Sequence, residues 1–357
     1  MYEMSSLTWF NPLNEAAMSL YGFNWLKDDQ VYRRLPLASK ESIKQACPGI
    51  NDLAEKTSGG QLHFYTNSDC LYIRAKTKGQ AQMAGMTAVA CGGFDCYAGK
   101  NYTDLRFYNT AYFDSHRQGY EAMVFENEPG FKLLVINFPL YGGIEHLEIG
   151  LKTGSKIKKP EPLQLGRIVI YGTSITQGGC ASRPGLSFTN FLSRRLNQEF
   201  LNFGFSENAF GEIALASIFK TIDNVSLFII DYEANAGTNG KMAQTLEAFI
   251  KELRTTHPLT PIAVLSRIKY LFDDIHPEKG AMRECIRLFQ ENLVKRLRKQ
   301  GDLNLWYIDG STLLGDQYHE YTIDSIHPND LGFMKIADNL EPIIGQIKRG
   351  EYAPIIN

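Results

Sequence analysis

The hydrophobic periodicity of this 357-residue chain changes once along its length, and that change limits the folds open to it. Residues 61–151 run in short segments rich in β-branched and aromatic side chains: QLHFYT, LYIRAK, LRFYNTAYF, YEAMVFEN, FKLLVINFP and IEHLEIGL. Turn-formers at 77–79, 128–130 and 141–143 separate them. Strands punctuated in this way predict an antiparallel sandwich or jelly roll. Residues 153–166, TGSKIKKPEPLQLG, are polar, basic and carry two prolines, which marks a domain boundary. Beyond it, apolar strands GRIVIYG, FLNFGF, LFIIDYE, PIAVLSR and LWYIDG alternate with helical stretches, so a parallel sheet covered on both faces is expected.

Two helical stripes support that reading. Met282, Cys285, Ile286, Phe289, Leu293 and Leu297 recur at three- or four-residue spacing, as do Met242, Leu246, Phe249 and Leu253. Five βα units in about 180 residues fit a flavodoxin-like doubly wound sheet, whose ligands bind at the carboxyl ends of the strands. The expected organisation is therefore an all-β sandwich or jelly-roll domain over residues 1–155 and an α/β domain over 156–357. The first 60 residues, with possible helical pieces at 39–46 and 51–56, are assigned to the sandwich.

Composition narrows the function. Lys and Arg number 37 against 39 Asp and Glu, a net charge of −2, and no basic stripe is dense enough to follow a phosphate backbone, so nucleic acid is not an expected partner. No segment reaches the roughly 18 apolar residues of a membrane span, and the N-terminus lacks a basic start followed by an apolar run. A cytoplasmic location is the resulting expectation. Six scattered cysteines, without C-x-x-C pairs, read as buried free thiols. Seven dispersed histidines offer no metal-ligand spacing.

The strand ends carry the chemistry. After the first α/β strand comes Tyr171-Gly172-Thr173-Ser174-Ile175-Thr176-Gln177-Gly178, which places the Ser174 hydroxyl at the sheet's carboxyl edge. It is not G-x-S-x-G, and a turn cap or phosphate loop fits these residues equally well. A nucleophilic serine needs a base with an orienting carboxylate, and two D-x-x-H sets are available: Asp273 with His276, and Asp324 with His327. The second follows the fifth strand, just before the closing helix at 331–347, and so falls on the active edge. His276 reads instead as a helix-start residue. Asn235, after the third strand, supplies an amide that can donate to an oxyanion, although a turn Asn is the plainer reading. The loop after the second strand, Phe203 to Asn208, offers a backbone N–H.

One serine, one loop amide, one Asn and one D-x-x-H, in that order, resemble the SGNH, or GDSL, hydrolase family. YGTSITQG is similar to the family's first block, residues 202–208 to the second, the Asn235 region to the third, and Asp324, His327 and Pro328 to the last. GTSITQGGCASRPG and Gly93-Phe94-Asp95-Cys96-Tyr97 resemble the branch with an N-terminal GxDLY-type sandwich. The resemblance implies Ser174 as nucleophile, His327 as base and Asp324 as its partner. The oxyanion hole it implies comprises the Ser174 N–H, the Glu207 N–H and the Asn235 side chain. It further implies hydrolysis of small acyl esters, carbohydrate O-acetyl groups first, without metal or organic cofactor.

Two positions depart from the family pattern. Thr173 replaces the Asp of G-D-S, and Glu207 stands at the second-block glycine, where a positive φ strains a non-glycine residue and a carboxylate opposes an oxyanion. Arg183, in the loop after Ser174, reads as a substrate contact or a strand-edge cap. Asp95 and Tyr97 read as stabilisers of a sandwich turn, and Cys180 as packing. The alternatives to an esterase are an acyltransferase using the same acyl-enzyme, and a carbohydrate-binding protein with a degenerate hydrolase domain.

Overall fold

The computed structural model describes residues 6–79 and 82–352. The strands up to the linker are β1 (Leu7–Phe10), β2 (Ser19–Tyr21), β3 (Gln61–Thr66), β4 (Leu71–Lys78), β5 (Asp95–Gly99), β6 (Arg106–Thr110), β7 (Gly119–Phe125), β8 (Lys132–Asn137), β9 (Gly143–Lys152) and β10 (Ile157–Lys158). They form two antiparallel sheets, ordered β1-β9-β4-β7 and β10-β3-β8-β5-β6, with β2 paired to β3. Their inward-facing apolar residues close the two sheets on each other. Leu71, Ile73 and Ala75 of β4 and Ile149 of β9 meet Leu62 and Phe64 of β3 and Leu134 and Ile136 of β8 in one core. Between them, Arg74 and Lys76 point outward to Glu121, Glu148 and Glu145.

The second unit is a five-stranded parallel sheet of β11 (Gln164–Gly172), β12 (Gln198–Gly204), β13 (Val225–Asp231), β14 (Ile262–Leu265) and β15 (Leu305–Ile308). Its order is β12-β11-β13-β14-β15, so the winding reverses at β11. Both faces are apolar because successive residues serve opposite layers. Ile168 and Ile170 pack with Phe188 and Leu192 of helix Phe188–Leu196 and with Phe333, Ile336 and Leu340 of helix Asp330–Arg349. Val169 and Tyr171 pack with Met242, Leu246, Phe249 and Leu253 of helix Lys241–Arg254. Each such Leu or Ile, fully buried, contributes about 1.5–3 kcal/mol.

Two expectations change here. Met282 and Cys285, placed on a buried stripe by their spacing, are exposed, and in helix Pro277–Lys299 the fully buried positions begin at Gln290. A 23-residue helix spans about 35 Å, whereas the four-residue strands β14 and β15 under it span about 13 Å, so its N-terminal half overhangs the sheet. Part of the segment before β3 also leaves the sandwich, while Met18, Phe23, Leu26 and Tyr32 stay in its core. Leu35, Ile43 of helix Lys40–Ala46, Ile50 of helix Pro48–Leu53 and Ala54 join the core of the parallel sheet beside Leu201, Phe203 and Phe219. Leu201 and Phe203 present an apolar face that the helices Ile213–Phe219 and Lys241–Arg254 do not fully cover, and the N-terminal segment occupies the remainder.

At the carboxyl edge of β13 the sheet buries an acid. Asp231 accepts a hydrogen bond from Thr176 Oγ1 at 2.6 Å, and burial, outweighing that bond and aided by Glu233, pushes its carboxyl up to about 7. The fold therefore favours the protonated acid. That preference is fully expressed below the ordinary carboxylate range and is lost as the pH rises through about 7.

Two measurements check this packing. Ile50→Ala is expected to cost about 2–5 kcal/mol in denaturant unfolding, whereas a loss below about 1 kcal/mol would show the N-terminal segment to be a dispensable attachment. Asp231→Asn is expected to raise Tm by several degrees at about pH 8.5 and by much less at about pH 5; an equal change at both would contradict a buried neutral acid.

Candidate functional site

Ser174 opens a four-residue helix, Ser174–Gln177, directly after β11, with Thr173 extended before it and Gly178 at φ 98° closing it. As the first helical residue, Ser174 keeps an N–H without an intrahelical acceptor. The turn is tight enough to require Gly172: a Cβ there would lie 2.0 Å from Thr176 Oγ1 and 2.7 Å from the Asp231 carbonyl oxygen. The loop is closed by Gln177 N donating to Thr173 O at 2.9 Å and by Phe205 N donating to Gly172 O at 2.8 Å.

His327 reaches this hydroxyl from the other end of the domain. Its Nε2 is 2.9 Å from Ser174 Oγ and its Nδ1 is 2.7 Å from Asp324 Oδ2. An acceptor carboxylate at Nδ1 assigns the proton to that nitrogen, which leaves Nε2 to accept from the serine hydroxyl. The three-residue offset works because Ser325 adopts φ 70°, folding the chain so that Asp324 Oδ1 also accepts from the amides of Ile326 at 3.0 Å and His327 at 2.7 Å. Burial alone would raise the Asp324 carboxyl. The His327 amide and imidazole and the Ile326 amide overcome it and hold the group below its usual range. The turn is pinned by Ile323 N donating to His327 O at 3.0 Å, and Asn329 caps the following helix through Gly332 N at 3.0 Å. A serine hydroxyl, an imidazole and an orienting carboxylate in series can pass a proton from Oγ to Nε2 as the oxygen attacks a carbonyl.

The second and third strand ends close round Ser174. Ser206 N donates to Gln177 Oε1 at 3.1 Å, and Asn208 N to Phe205 O at 3.1 Å. Between them Glu207 sits at φ 59°, the left-handed conformation that a glycine would take without strain, and its side chain is exposed. Asn235 faces the amides of Asn208 and Ala209. Its amide satisfies them with Oδ1 accepting at 3.1 and 3.0 Å, whereas the opposite orientation would set NH2 against two N–H donors. In that orientation the NH2 is turned away from these two amides.

The other D-x-x-H set is not brought together. Asp273 is held by Arg267 in a bidentate pair at 2.8 and 2.6 Å, while His276 lies 3.7 Å from Glu278 and beside Phe272. Cys180 is half-buried, and burial, aided by Asp324, pushes its thiol up to about 11, which fits packing and not nucleophilic chemistry. Arg183 is tied to the sandwich. Its Nη1 donates to Asp95 Oδ2 at 2.7 Å and to the Tyr97 hydroxyl at 2.8 Å, with the guanidinium 3.7 Å from the Phe107 ring centre. Asp95 and Tyr97 correspondingly do not stabilise a turn. They lie in β5 and tie the sandwich to the loop that follows Ser174, with Gly185 N and Asn137 Nδ2 completing the buried Asp95 carboxylate at 2.8 and 2.7 Å.

Sequence reasoning passed over residues of the first unit that touch this site. Arg34, wholly buried, donates to the carbonyls of Asn202 and Gly204 at 3.0 and 2.6 Å, just before the Ser206 to Asn208 loop. Tyr141, read only as part of a turn, has its hydroxyl 3.5 Å from the Ser174 carbonyl. A cavity of about 540 Å³, lined by Tyr21, Pro162, Leu165, Arg167 and Glu199, lies at the opposite end of β11 and gathers none of these groups. Among the described residues, no group of three or more His, Cys, Asp or Glu is arranged to hold a metal ion, and no helix is long and apolar enough to cross a membrane.

Comparison with known proteins places this geometry. Residues 166–345 match the model of the GDSL-like lipase/acylhydrolase family, and residues 7–157 match the GxDLY model, the N-terminus of SGNH-hydrolase-type esterases. No curated protein matches significantly. Among solved structures, a protein of Bacteroides ovatus assigned as a GDSL-like lipase is 28% identical, with a TM-score of 0.87 over 96% of this chain and 98% of that one. The salicylyl-acyltransferase SsfX3 from a tetracycline biosynthetic pathway is 21% identical, with a TM-score of 0.80 over 97% and 98%. A family two carbohydrate esterase from Cellvibrio japonicus shares the fold at 13% identity, with a TM-score of 0.61 over 97% and 99%. With half its length under one family model and most of the remainder under that family's N-terminal companion, the chain belongs to the GDSL-like, or SGNH, hydrolases.

Proposed function

We propose that the protein is a serine esterase that hydrolyses short acyl esters, acetyl esters above all, on a carbohydrate or other small polar molecule. The observation that carries this reading is the unbroken series from Ser174 Oγ through His327 to Asp324, at 2.9 and 2.7 Å. In this mechanism Ser174 Oγ attacks the ester carbonyl as His327 Nε2 takes its proton, and Asp324 stabilises the imidazolium. The tetrahedral oxyanion is held by the Ser174 and Glu207 N–H groups and the Asn235 NH2. His327 then returns the proton to the leaving alcohol, and the acyl group stays on Ser174. Water, deprotonated by the same imidazole, attacks the acyl-enzyme and releases the carboxylic acid.

The exposed Glu207 side chain suits this assignment, because its backbone N–H serves the oxyanion while its carboxylate stays in water, where the charge is screened. Carbohydrate O-acetyl esters are the first substrate class to test. Family two carbohydrate esterases share the fold, and one from Clostridium thermocellum was solved with cellohexaose, at 14% identity and a TM-score of 0.59. We also read the N-terminal unit as a jelly roll, since β1-β9-β4-β7 and β3-β8-β5-β6 divide eight strands between two facing sheets as that fold does. The division between the units is placed in the 153–166 linker.

Ser174→Ala is expected to lower kcat/KM on a short aryl acetate by about 10³-fold or more and to abolish covalent labelling by a fluorophosphonate, with the fold unchanged by circular dichroism. Full retained activity would exclude Ser174 as nucleophile. Running the wild type on acetylated sugars with and without an acceptor alcohol, and identifying the products, separates hydrolysis from acyl transfer.

A further inference from the structure

The turn between β8 and β9 belongs to the sandwich, yet it is built into the catalytic loops. Thr57 Oγ1 donates to the carbonyls of Pro139 and Gly142 at 2.9 and 3.0 Å, and Leu140 N donates to Ala90 O at 3.0 Å, so the turn is held from two sides. From it, Tyr141 extends its hydroxyl to 3.5 Å from the Ser174 carbonyl. Gly179 makes room for this approach, since a Cβ there would lie 2.8 Å from the Tyr141 oxygen and 3.1 Å from the Ser174 oxygen. Burial keeps the Tyr141 phenol protonated, so it remains an O–H donor.

A second tie runs alongside the first. Gln177 Nε2 donates to Leu140 O at 3.2 Å while its Oε1 accepts from Ser206 N at 3.1 Å. Both ties begin at adjacent residues of one sandwich turn; the Tyr141 tie ends on the Ser174 carbonyl, and the Gln177 tie ends on Ser206 N, one residue before Glu207.

We infer that Tyr141 is a positioning residue, whose hydroxyl holds the Ser174 loop on the same sandwich turn that Gln177 ties to the Ser206–Glu207 loop, so that the β-sandwich completes the hydrolase site. The inference rests on the esterase reading of Ser174. Its physical basis is that donors must be placed for the charge before it forms, and a displacement of about 1 Å can cost up to about a hundredfold in rate.

The test is steady-state hydrolysis of an aryl acetate by the full chain carrying Tyr141→Phe, which keeps the ring and removes only the hydroxyl. The expected result is a fall in kcat of about tenfold or more, KM within about twofold, Tm within about 2 °C, and phosphonylation of Ser174 slowed in parallel. A kcat within about twofold of wild type or an effect confined to KM would each overturn the inference. If wild type neither hydrolyses esters nor is labelled at Ser174, the esterase reading itself fails and takes this inference with it.

Discussion

β11 has a strand hydrogen-bonded to each edge and helices packed on each face, and the rest of the site depends on that confinement. Registered against β12 on one side and β13 on the other, it ends with Gly172 opposite Gly204 and Asp231. The three strands therefore leave the sheet at one level, and the residues just beyond their ends, Ser174, Ser206 with Glu207, and Asn235, come together without a dedicated scaffold. The winding reverses after β11, so the connections after β11 and β13 run to opposite sides and leave a crevice between those two strands. Only His327 has to be brought from elsewhere. It arrives on a turn fixed by the Asp324 carboxylate, which serves three donors at once.

A sheet edge with loops on top is a weakly braced object, and the first unit supplies the bracing. Asp95 is a buried carboxylate in the sandwich satisfied largely by the other unit: Arg183 and the Gly185 amide both donate to it. Removing either member of such a pair leaves an unpaired charge away from water, which commonly costs about 3–5 kcal/mol, so the contact resists separation even where its net contribution is small. Arg34 works differently. It has no carboxylate among its hydrogen-bond partners and gives its donors to the carbonyls of Lys56, Leu53, Asn202 and Gly204, joining the N-terminal segment to the end of β12. Arginine suits this place because its fork of donors can reach several carbonyls at fixed angles.

The parts legible in the sequence were those whose cause is local. Short β-branched and aromatic runs between turn-formers marked the sandwich strands, apolar runs between helical stretches marked the parallel ones, and the Asp324 and His327 spacing marked a turn that closes on itself within four residues. The misread parts depend on partners far along the chain. Arg183 finds Asp95 at a separation of 88 residues, and nothing near either residue announces the other. The short helices before β3 carry apolar positions that suit a sandwich edge as well as an α/β layer, and only the uncovered face beside Leu201 and Phe203 decides between them. For Met282 and Cys285 the periodicity was correctly helical, but spacing carries no information on how far the strands beneath extend.

The backbone records where this local logic was overridden. Apart from glycine, positive φ is found among the described residues at Gln30, Asn127, Cys180, Asn197, Glu207, Asn224 and Ser325. Three are asparagines, the residue that best tolerates this conformation after glycine, and Gln30 and Asn197 close helices, where a left-handed residue is ordinary. The remaining three lie in the loops round Ser174 and His327. Cys180 follows the Ser174 loop, Glu207 lies in the loop that Gln177 ties to it, and Ser325 lets Asp324 fold back on His327. Residues held in this region cost of order 1 kcal/mol or more each and persist only where the surroundings over-determine them. Gln177 and Arg34 beneath the second loop, and the amides gathered by Asp324 in the last, are those surroundings. Strain concentrated in the loops round one hydroxyl, and bracing concentrated on the same loops, are two sides of a single requirement: the donors must stand in place before the charge they receive exists.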